Sequence, residues 1–233
     1  MILTIDIGNT NIHWGIFDND NLLKESKIST RDYGELFLIK NNFDKVIISS
    51  VVPYLDKKIK KFFDNALFVS ADNVPLNLKV SNPEQVGADR LVNAVAVWKL
   101  YGTPAIIIDF GTAVTFCCIK GQGDYLGGLI VPGVDLSLKS LHLNTAKLPF
   151  IKFEQPNALI GKDTNEAIQS GIYYGYIGLI ANILKELEKN MPKGVSVIAT
   201  GGYAESFSDC LNQYDPIIDP FLTLKGLNIL KKK

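Results

Sequence analysis

The first part of the chain alternates short apolar runs with clusters of turn-forming residues. Residues 2–7 and 12–17 are apolar and rich in β-branched side chains, and the turn 8–11 separates them. This pattern predicts a strand, a tight turn and a second strand. Four turn formers, 18–21, then precede a third run, 22–28, which is expected to return as an antiparallel strand. The opening therefore predicts a β-meander.

A similar pattern returns near residue 105. Residues 105–112 repeat the order of residues 3–10, and Asp109 stands where Asp6 stood. The runs 114–119 and 125–130 then match the second and third strands. Apolar strands resemble one another by chance, but both copies have Asp-apolar-Gly followed by Thr, with Asn9 inserted in the first, at the same strand end, which favours an internal duplication.

Helical spacing and further strands complete both halves. The first half adds a strand at 46–49 and a helix at 56–64, and the second adds a helix at 164–189 and a strand at 195–199. A further helix is expected to begin near Tyr203. An apolar stripe over 91–100 predicts a helix that crosses between the halves. We therefore expect an N-terminal half of residues 1–100 and a C-terminal half of residues 101–233.

Composition narrows the class of partner. The chain is 47% hydrophobic and 21% charged, which is typical of a globular protein with a full core. Lys+Arg and Asp+Glu balance at 24 each, so no net positive charge is present to hold a nucleic acid or an anionic membrane. A small-molecule partner is expected.

Three cysteines, two of them adjacent in an apolar run, do not suggest a disulfide framework. The N-terminus lacks the pattern of a signal peptide, and no run approaches the ~20 apolar residues of a membrane span. We expect a cytoplasmic protein.

The most informative motif places Asp6 at the end of a buried strand, directly before the turn 8–11. Such a turn offers backbone N–H groups and a hydroxyl to phosphate oxygens, and the carboxylate can hold Mg²⁺ through water. An alternative is a hairpin in which Asp6 and Asn9 only satisfy turn backbone. The second copy at Asp109 favours phosphate binding, because facing aspartates suit a cation opposed to phosphate.

Two other motifs are ambiguous when taken alone. Thr200-Gly201-Gly202 follows a strand and would let a nucleotide approach the backbone, or it is an ordinary strand-to-helix turn. Gly87-Ala88-Asp89-Arg90 contains one of only two arginines, which suggests planar, bidentate recognition, or else an Asp N-cap beside an exposed Arg. His13 and His142 are too isolated for a metal site or a catalytic triad.

Together these motifs resemble type III pantothenate kinase. The resemblance runs from residue 6 to about residue 202 and rests on five segments: Asp6-Ile7-Gly8-Asn9-Thr10, Pro83-Glu84-Gln85-Val86-Gly87-Ala88-Asp89-Arg90, Ile108-Asp109-Phe110-Gly111-Thr112, Gly127-Gly128-Leu129-Ile130-Val131-Pro132-Gly133 and Ala199-Thr200-Gly201-Gly202. The first and third alone also fit the wider superfamily of acetate and sugar kinases, heat-shock chaperones and actin. The second and fourth narrow the resemblance to the family.

The resemblance implies an α/β fold of two ribonuclease-H-like halves, each a mixed sheet with flanking helices, with the nucleotide in a cleft between them. It implies ATP-dependent phosphorylation of pantothenate to 4'-phosphopantothenate, the first step of coenzyme A biosynthesis. Mg²⁺ and a monovalent cation, K⁺ or NH₄⁺, are implied as well, together with a homodimer.

The same resemblance assigns residues by position. Asp89 would be the catalytic proton acceptor, and Asp109 would bind the monovalent cation. The residues implied to bind ATP are Asp6, Ile7, Gly8, Asn9, Thr10, Asn11, Ile12, His13 and Thr112. Those implied to bind pantothenate are Gly87, Ala88, Asp89, Arg90 and Thr164. One departure is Val80, which stands seven residues before Gly87 where many relatives have a substrate-contacting tyrosine.

Two other classes of function remain as alternatives. The first is a catalytically inactive relative that acts as a transcriptional accessory factor, against which the presence of Asp6, Asp89, Arg90 and Asp109 argues. The second is an actin-like or chaperone-like ATPase, for whose extra subdomains 233 residues leave little room.

Overall fold

The computed structural model describes residues 1–39 and 43–232. Residues 40–42 of the predicted first half and residue 233 of the second therefore lie outside it. The chain forms two compact units. Unit 1 comprises Met1–Thr103, Ile119–Gly127 and Phe221–Lys233, and unit 2 comprises Pro104–Cys118 and Gly128–Pro220. The boundary between two halves at residue 100 stays a prediction. The compact units do not follow it, because the later segments Ile119–Gly127 and Phe221–Lys233 belong to unit 1.

The described residues form strands, α-helices and short 3₁₀ helices. The strands are β1 (Ile2–Ile7), β2 (Asn11–Asp18), β3 (Asn21–Ser29), β4 (Lys45–Ser50), β5 (Leu67–Phe68), β6 (Asn77–Leu78), β7 (Ala105–Phe110), β8 (Ala113–Lys120), β9 (Asp124–Pro132), β10 (Ser196–Gly201) and β11 (Ile217–Ile218). The α-helices are α1 (Pro53–Phe62), α2 (Ala88–Leu100), α3 (Val134–Leu143), α4 (Thr164–Glu188) and α5 (Leu222–Ile229). The 3₁₀ helices are Thr30–Leu38, Ala71–Asn73, Pro83–Gln85, Glu205–Tyr214 and Leu230–Lys232.

The sheet of unit 1 has the strand order β3-β2-β1-β4-β5. Strand β1 pairs antiparallel with β2 and parallel with β4, and β2 pairs antiparallel with β3. The predicted meander is therefore confirmed. Leu3, Ile5 and Ile7 pack on the core that holds α1. Because side chains alternate across a strand, Asp6 lies on the opposite face, where Ile2 and Ile47 pack with residues of α2 and α5.

The second sheet repeats this order. Its strands run β11-β10-β7-β8-β9-β6, so β9-β8-β7-β10-β11 reproduces β3-β2-β1-β4-β5. Strand β7 pairs parallel with β10, as β1 pairs with β4. Asp6 and Asp109 each occupy the fifth of six positions in their strand. The predicted pair of mixed sheets with flanking helices is confirmed, and so is the equivalence of the two aspartates.

Helix α5, far along the chain, belongs to unit 1. Its residues Leu224 and Leu227 are fully buried, and the hydroxyl of Thr223 donates to Oδ1 of buried Asn93 in α2 (2.8 Å). The side-chain amide of Asn228 donates to the backbone oxygen of Asn19 (2.9 Å). The late helix is thus fixed both to α2 and to the turn between β2 and β3.

The structure differs from the predicted elements at several ends. Helix α2 begins at Ala88 rather than residue 91, which places Asp89 and Arg90 in its first turn. The helix predicted near Tyr203 is a 3₁₀ helix, Glu205–Tyr214. There Ser208 and Cys210 each donate to the carbonyl three residues earlier, which favours 3₁₀ geometry. In the described parts of the chain, no helix is long and apolar enough to cross a membrane.

Candidate active site

The turn after β1 is held in shape by Thr30. The N–H of Gly8 donates to the oxygen of Asn11 (3.0 Å). The hydroxyl of Thr30 donates to the oxygen of Gly8 (2.8 Å), and its N–H donates to the oxygen of Thr10 (3.0 Å). Asn9, Thr10 and Asn11 remain exposed. The turn is therefore both fixed and accessible, as a phosphate-binding turn has to be.

The residues predicted to bind ATP divide into two groups. Asp6 and residues 8–11 lie at the strand end and in the turn, whereas the side chains of Ile7 and Ile12 are fully buried in the core of unit 1. Only the backbone of these two isoleucines is available to a ligand. His13 lies directly across from Asp6 in the β1–β2 register.

His13 is already engaged on β2. A ring nitrogen hydrogen-bonds with the carboxylate of Glu25 (2.9 Å), and the ring lies 6.2 Å from that of Phe221. Burial lowers the pKa of His13, with Glu25 partly opposing that shift. A half-buried imidazole with a lowered pKa is neutral near pH 7, so it carries no positive charge for a phosphate.

Asp89 lies at the N-terminus of α2 with its carboxylate over Gly87. The N–H of Arg90 donates to Oδ1 of Asp89 (2.8 Å), and a Cβ on Gly87 would lie 2.5 Å from that oxygen. Burial raises the pKa of Asp89, and the hydrogen bond from Arg90 only partly offsets this. A carboxylate with a raised pKa is a better proton acceptor than an ordinary aspartate.

The same glycine locates Asp89 relative to the sheet of unit 1. A Cβ on Gly87 would lie 3.6 Å from Cγ1 of Val51, the residue directly after β4. Since β4 neighbours β1 in parallel register, Asp6 pairs with Ser49 only two residues before Val51. Unit 1 therefore brings Asp6 and Asp89 to the same end of its sheet.

Arg90 lies above an aromatic ring. Its guanidinium carbon is 6.0 Å from the ring centroid of Tyr125, and Tyr125 is fully buried. Strand β6 pairs with β9 at Tyr125. Further along the same pairing, Cγ1 of Val80 is 3.3 Å from where a Cβ of Gly127 would lie. The small Val80 therefore packs against the β9 backbone.

In unit 2, three glycines pack closely against the strand end and the turn at Asp109. The N–H of Gly202 donates to the oxygen of Phe110 (3.1 Å), and that of Gly133 donates to the oxygen of Thr112 (3.0 Å). A Cβ on Gly133 would lie 2.3 Å from the Thr112 oxygen, and one on Gly201, at φ +92°, would lie 2.6 Å from the Phe110 backbone. The glycine motifs thus allow close backbone packing, and Thr112 itself stays exposed.

Thr164 is the first residue of α4 and is exposed. The carboxylate of Asp163 caps the helix by accepting from the N–H of Glu166 (2.9 Å). The carboxylate of Glu166 in turn accepts from the N–H of Lys162 (2.8 Å). These two bonds fix the start of the helix and hold the Thr164 hydroxyl at a helix N-terminus, where backbone N–H groups favour anionic ligands.

Sequence reasoning missed three residues that shape unit 1: Thr30, Ser49 and Tyr125. Of these, only Ser49 could have been noticed in the sequence, as a polar residue within the apolar strand β4.

The described residues contain no group of three or more His, Cys, Asp or Glu side chains that could hold a metal. A cavity of about 360 Å³ in unit 1 is lined by Phe17, Asp20 and neighbours. It lies at the far end of β2 from the turn after β1 and contains none of the predicted site residues.

Comparison with known proteins agrees with the motifs. The sequence profile of type III pantothenate kinases matches residues 2–186. A type III pantothenate kinase from Bacillus cytotoxicus is 40% identical, and the match covers 100% of this chain and 96% of the relative.

Similar solved structures show the fold. A conserved Campylobacter jejuni protein assigned to the Baf family of transcriptional activators superposes with a TM-score of 0.67 at 21% identity, over 99% of this chain and 97% of the other. Component A of (R)-2-hydroxyglutaryl-CoA dehydratase from Acidaminococcus fermentans gives a TM-score of 0.59 at 14% identity, over 97% and 94%. The profile match and the whole-length identity, taken with the motifs described above, show that this chain belongs to the type III pantothenate kinase family.

Proposed function

We propose that the protein transfers the γ-phosphoryl group of ATP to the hydroxyl of pantothenate and so makes 4'-phosphopantothenate, the first step of coenzyme A biosynthesis. The observation that carries this proposal is the half-buried carboxylate of Asp89 at the N-terminus of α2, which accepts from the N–H of Arg90 and whose pKa is raised by desolvation. Such a group can accept the proton of the substrate hydroxyl as the new bond forms, and a raised pKa favours that role.

The ATP-binding residues proposed in unit 1 lie in and beside the turn after β1. The exposed backbone and side chains of residues 8–11 suit the phosphate oxygens, and Ile7 and Ile12 contribute backbone only. Asp6 is an oxygen ligand at the strand end, which is the donor that Mg²⁺ prefers. His13 is assigned to this group by its place in the register across from Asp6. In unit 2, exposed Thr112 is assigned to ATP through its hydroxyl.

The pantothenate residues are assigned to the start of α2 and to Thr164. The side chain of Ala88 is buried, so Gly87 and Ala88 contribute backbone groups. The planar guanidinium of Arg90 suits the carboxylate of pantothenate, and the hydroxyl of Thr164 supplies a further hydrogen bond.

The chemical step follows from these groups. The pantothenate hydroxyl oxygen attacks the γ-phosphorus in line, its bond to phosphorus forms as the bond to ADP breaks, and the hydroxyl proton passes to Asp89. Phosphoryl transfer has a loose transition state, so positioning and charge neutralisation count for more than a strong base. An aspartate is sufficient for this role.

A monovalent cation is assigned to Asp109 in unit 2. Thr200 is the register partner of Asp109, and Thr112 follows in the turn, so further oxygen-bearing side chains lie next to Asp109 along the sheet and the chain. The choice of K⁺ or NH₄⁺ follows from the family resemblance. The cation would add positive charge beside the phosphates.

We also keep a homodimer and a cytoplasmic location as parts of the proposal. Trp98 on α2 lies 3.1 Å from where a Cβ of Gly123 would be, so it packs within unit 1. Unit 2 has strongly exposed apolar side chains that are candidates for an interface: Ile130, Leu143, Phe150, Leu159 and Ile160.

The test is a coupled assay of ADP release on the purified protein, with and without pantothenate. Release that depends on pantothenate supports the kinase. ADP release that does not need pantothenate would indicate an ATPase. No ADP release with or without pantothenate would favour the catalytically inactive regulatory relative.

A further inference from the structure

Ser49 on β4 carries a hydroxyl that the fold does not use. The residue is 0% exposed, and its Oγ has no hydrogen-bond partner among the residues the structure describes. Buried polar atoms are nearly always paired, because an unpaired one loses its hydrogen bonds to water without replacement. An alanine would fill the site without that loss. The stability of the fold therefore does not explain why a hydroxyl is present at this position.

The position of Ser49 connects it to Asp6. The two residues are direct partners in the parallel register of β1 and β4. Neighbouring strands lie about 4.8 Å apart, and register partners project from the same face. The side chains of Ser49 and Asp6 are therefore neighbours, on the face that α2 covers. Buried Thr4, two residues before Asp6 on the same face, shows the ordinary situation, since its hydroxyl donates to the oxygen of Gly15 (3.1 Å).

Unit 2 repeats the arrangement. Thr200 on β10 is the register partner of Asp109 on β7 and is 3% exposed. The residues before it, Val197, Ile198 and Ala199, are apolar, as are Val46, Ile47 and Ile48 before Ser49. A buried hydroxyl therefore stands beside the strand-end aspartate in both units, within strands that are otherwise apolar up to that point.

We propose that Ser49 is a positioning residue for Asp6: its hydroxyl donates to the Asp6 carboxylate when the phosphate turn holds Mg²⁺–nucleotide, and fixes the orientation of that carboxylate. The inference rests on the proposed role of Asp6 in nucleotide binding. Ser49 itself is too deeply buried to touch the nucleotide. The unpaired hydroxyl of Ser49 is thus available to donate to Asp6 when the nucleotide is bound.

The experiment compares Ser49→Ala, Ser49→Thr and the control Thr4→Val with the wild type. Affinity for the Mg²⁺ complex of a non-hydrolysable ATP analogue is measured by calorimetry, and thermal unfolding is measured without ligand. We expect Ser49→Ala to bind the analogue about tenfold more weakly, the scale of one hydrogen bond to a charged group, while unfolding at the same or a higher temperature. Ser49→Thr should restore most of the affinity, because Thr200 fills the equivalent position.

Thr4→Val separates this role from a structural one. It removes a satisfied hydroxyl on the same face, so it should unfold at a lower temperature and bind the analogue as the wild type does. Affinity of Ser49→Ala within twofold of the wild type would overturn the proposal. So would unfolding of Ser49→Ala below the wild-type temperature, including failure to fold, because the hydroxyl would then stabilise the ligand-free protein. If the wild type binds the ATP analogue but does not phosphorylate pantothenate, the proposed reaction is wrong. The comparison of Ser49→Ala with the wild type would still test the role of Ser49.

Discussion

Replacing Gly87 with alanine should move the carboxylate of Asp89, the proposed proton acceptor, without disturbing the fold. The new Cβ would lie 2.5 Å from Oδ1 of Asp89, and a normal carbon–oxygen contact is about 3.3 Å. The carboxylate must therefore shift by roughly 0.8 Å. Because a misplacement of about 1 Å can cost ~10²-fold in rate, we expect kcat/KM to fall about 10- to 100-fold, or about 1.4–2.7 kcal/mol of transition-state stabilisation.

The backbone should tolerate this change. Gly87 has φ −55° and ψ 139°, which any residue adopts, so alanine brings no backbone strain. Gly→Ala at a compatible position stabilises by about 0.4–1 kcal/mol through the unfolded state, so the unfolding temperature should stay close to that of the wild type. Gly34→Ala is the matched control, because a Cβ there meets nothing within 4 Å.

The assay is pantothenate-dependent ADP release, read with thermal unfolding on the same samples. Wild-type kcat/KM in Gly87→Ala would show that the position of the Asp89 carboxylate does not matter to the reaction. A drop of several degrees in unfolding temperature that is absent from Gly34→Ala would show instead that the fold, and not the carboxylate, was disturbed.

Three further predictions follow from the assigned residues. Asp89→Asn should lower turnover by ~10²-fold or more. Desolvation raises the pKa of Asp89. The contribution of the Asp89 carboxyl to the free energy of unfolding is therefore present at acid pH, and it is lost as pH rises through the pKa of the folded state. The asparagine variant should therefore unfold at a higher temperature than the wild type at pH 7, with the difference vanishing below about pH 4, and turnover near that of the wild type would remove Asp89 from the base role. Activity should rise with K⁺ or NH₄⁺ and fall when Na⁺ replaces them, and Asp109→Ala should flatten that response in the coupled assay; equal rates in all three salts would contradict the cation assignment. Light scattering at micromolar concentration should give twice the 25.7 kDa of one chain, and an active species at the monomer mass would contradict the dimer.

The meanders and the aspartate motifs could be predicted because their signals are local. Residues 2–7 and 105–110 are apolar runs that end in a turn motif, and the structure forms β1 and β7 at those bounds. The helix predicted over 164–189 forms as α4 with nearly the same ends, since Asp163 supplies an N-cap. Local pattern and tertiary structure agree in these elements.

Other elements depend on contacts that no local pattern shows. No element is predicted from the sequence over α3, whose buried residues Val134 and Leu138 lie one helical turn apart. Strand β6 has two residues and exists through its pairing with β9, more than forty positions later. The unpaired hydroxyl of Ser49 is likewise visible only once β1 and β4 lie side by side.

The return of α5 to unit 1 affects the order in which a newly made chain can fold. Helix α2 leaves the ribosome early. Its partner α5, whose Thr223 donates to Asn93 of α2, is made only after all of residues 104–220. Every segment of unit 2 is therefore synthesised before unit 1 has its last helix. Although domains generally fold in the order of synthesis, here the unit that starts first is the last that can be completed, and its apolar helix face stays uncovered until then.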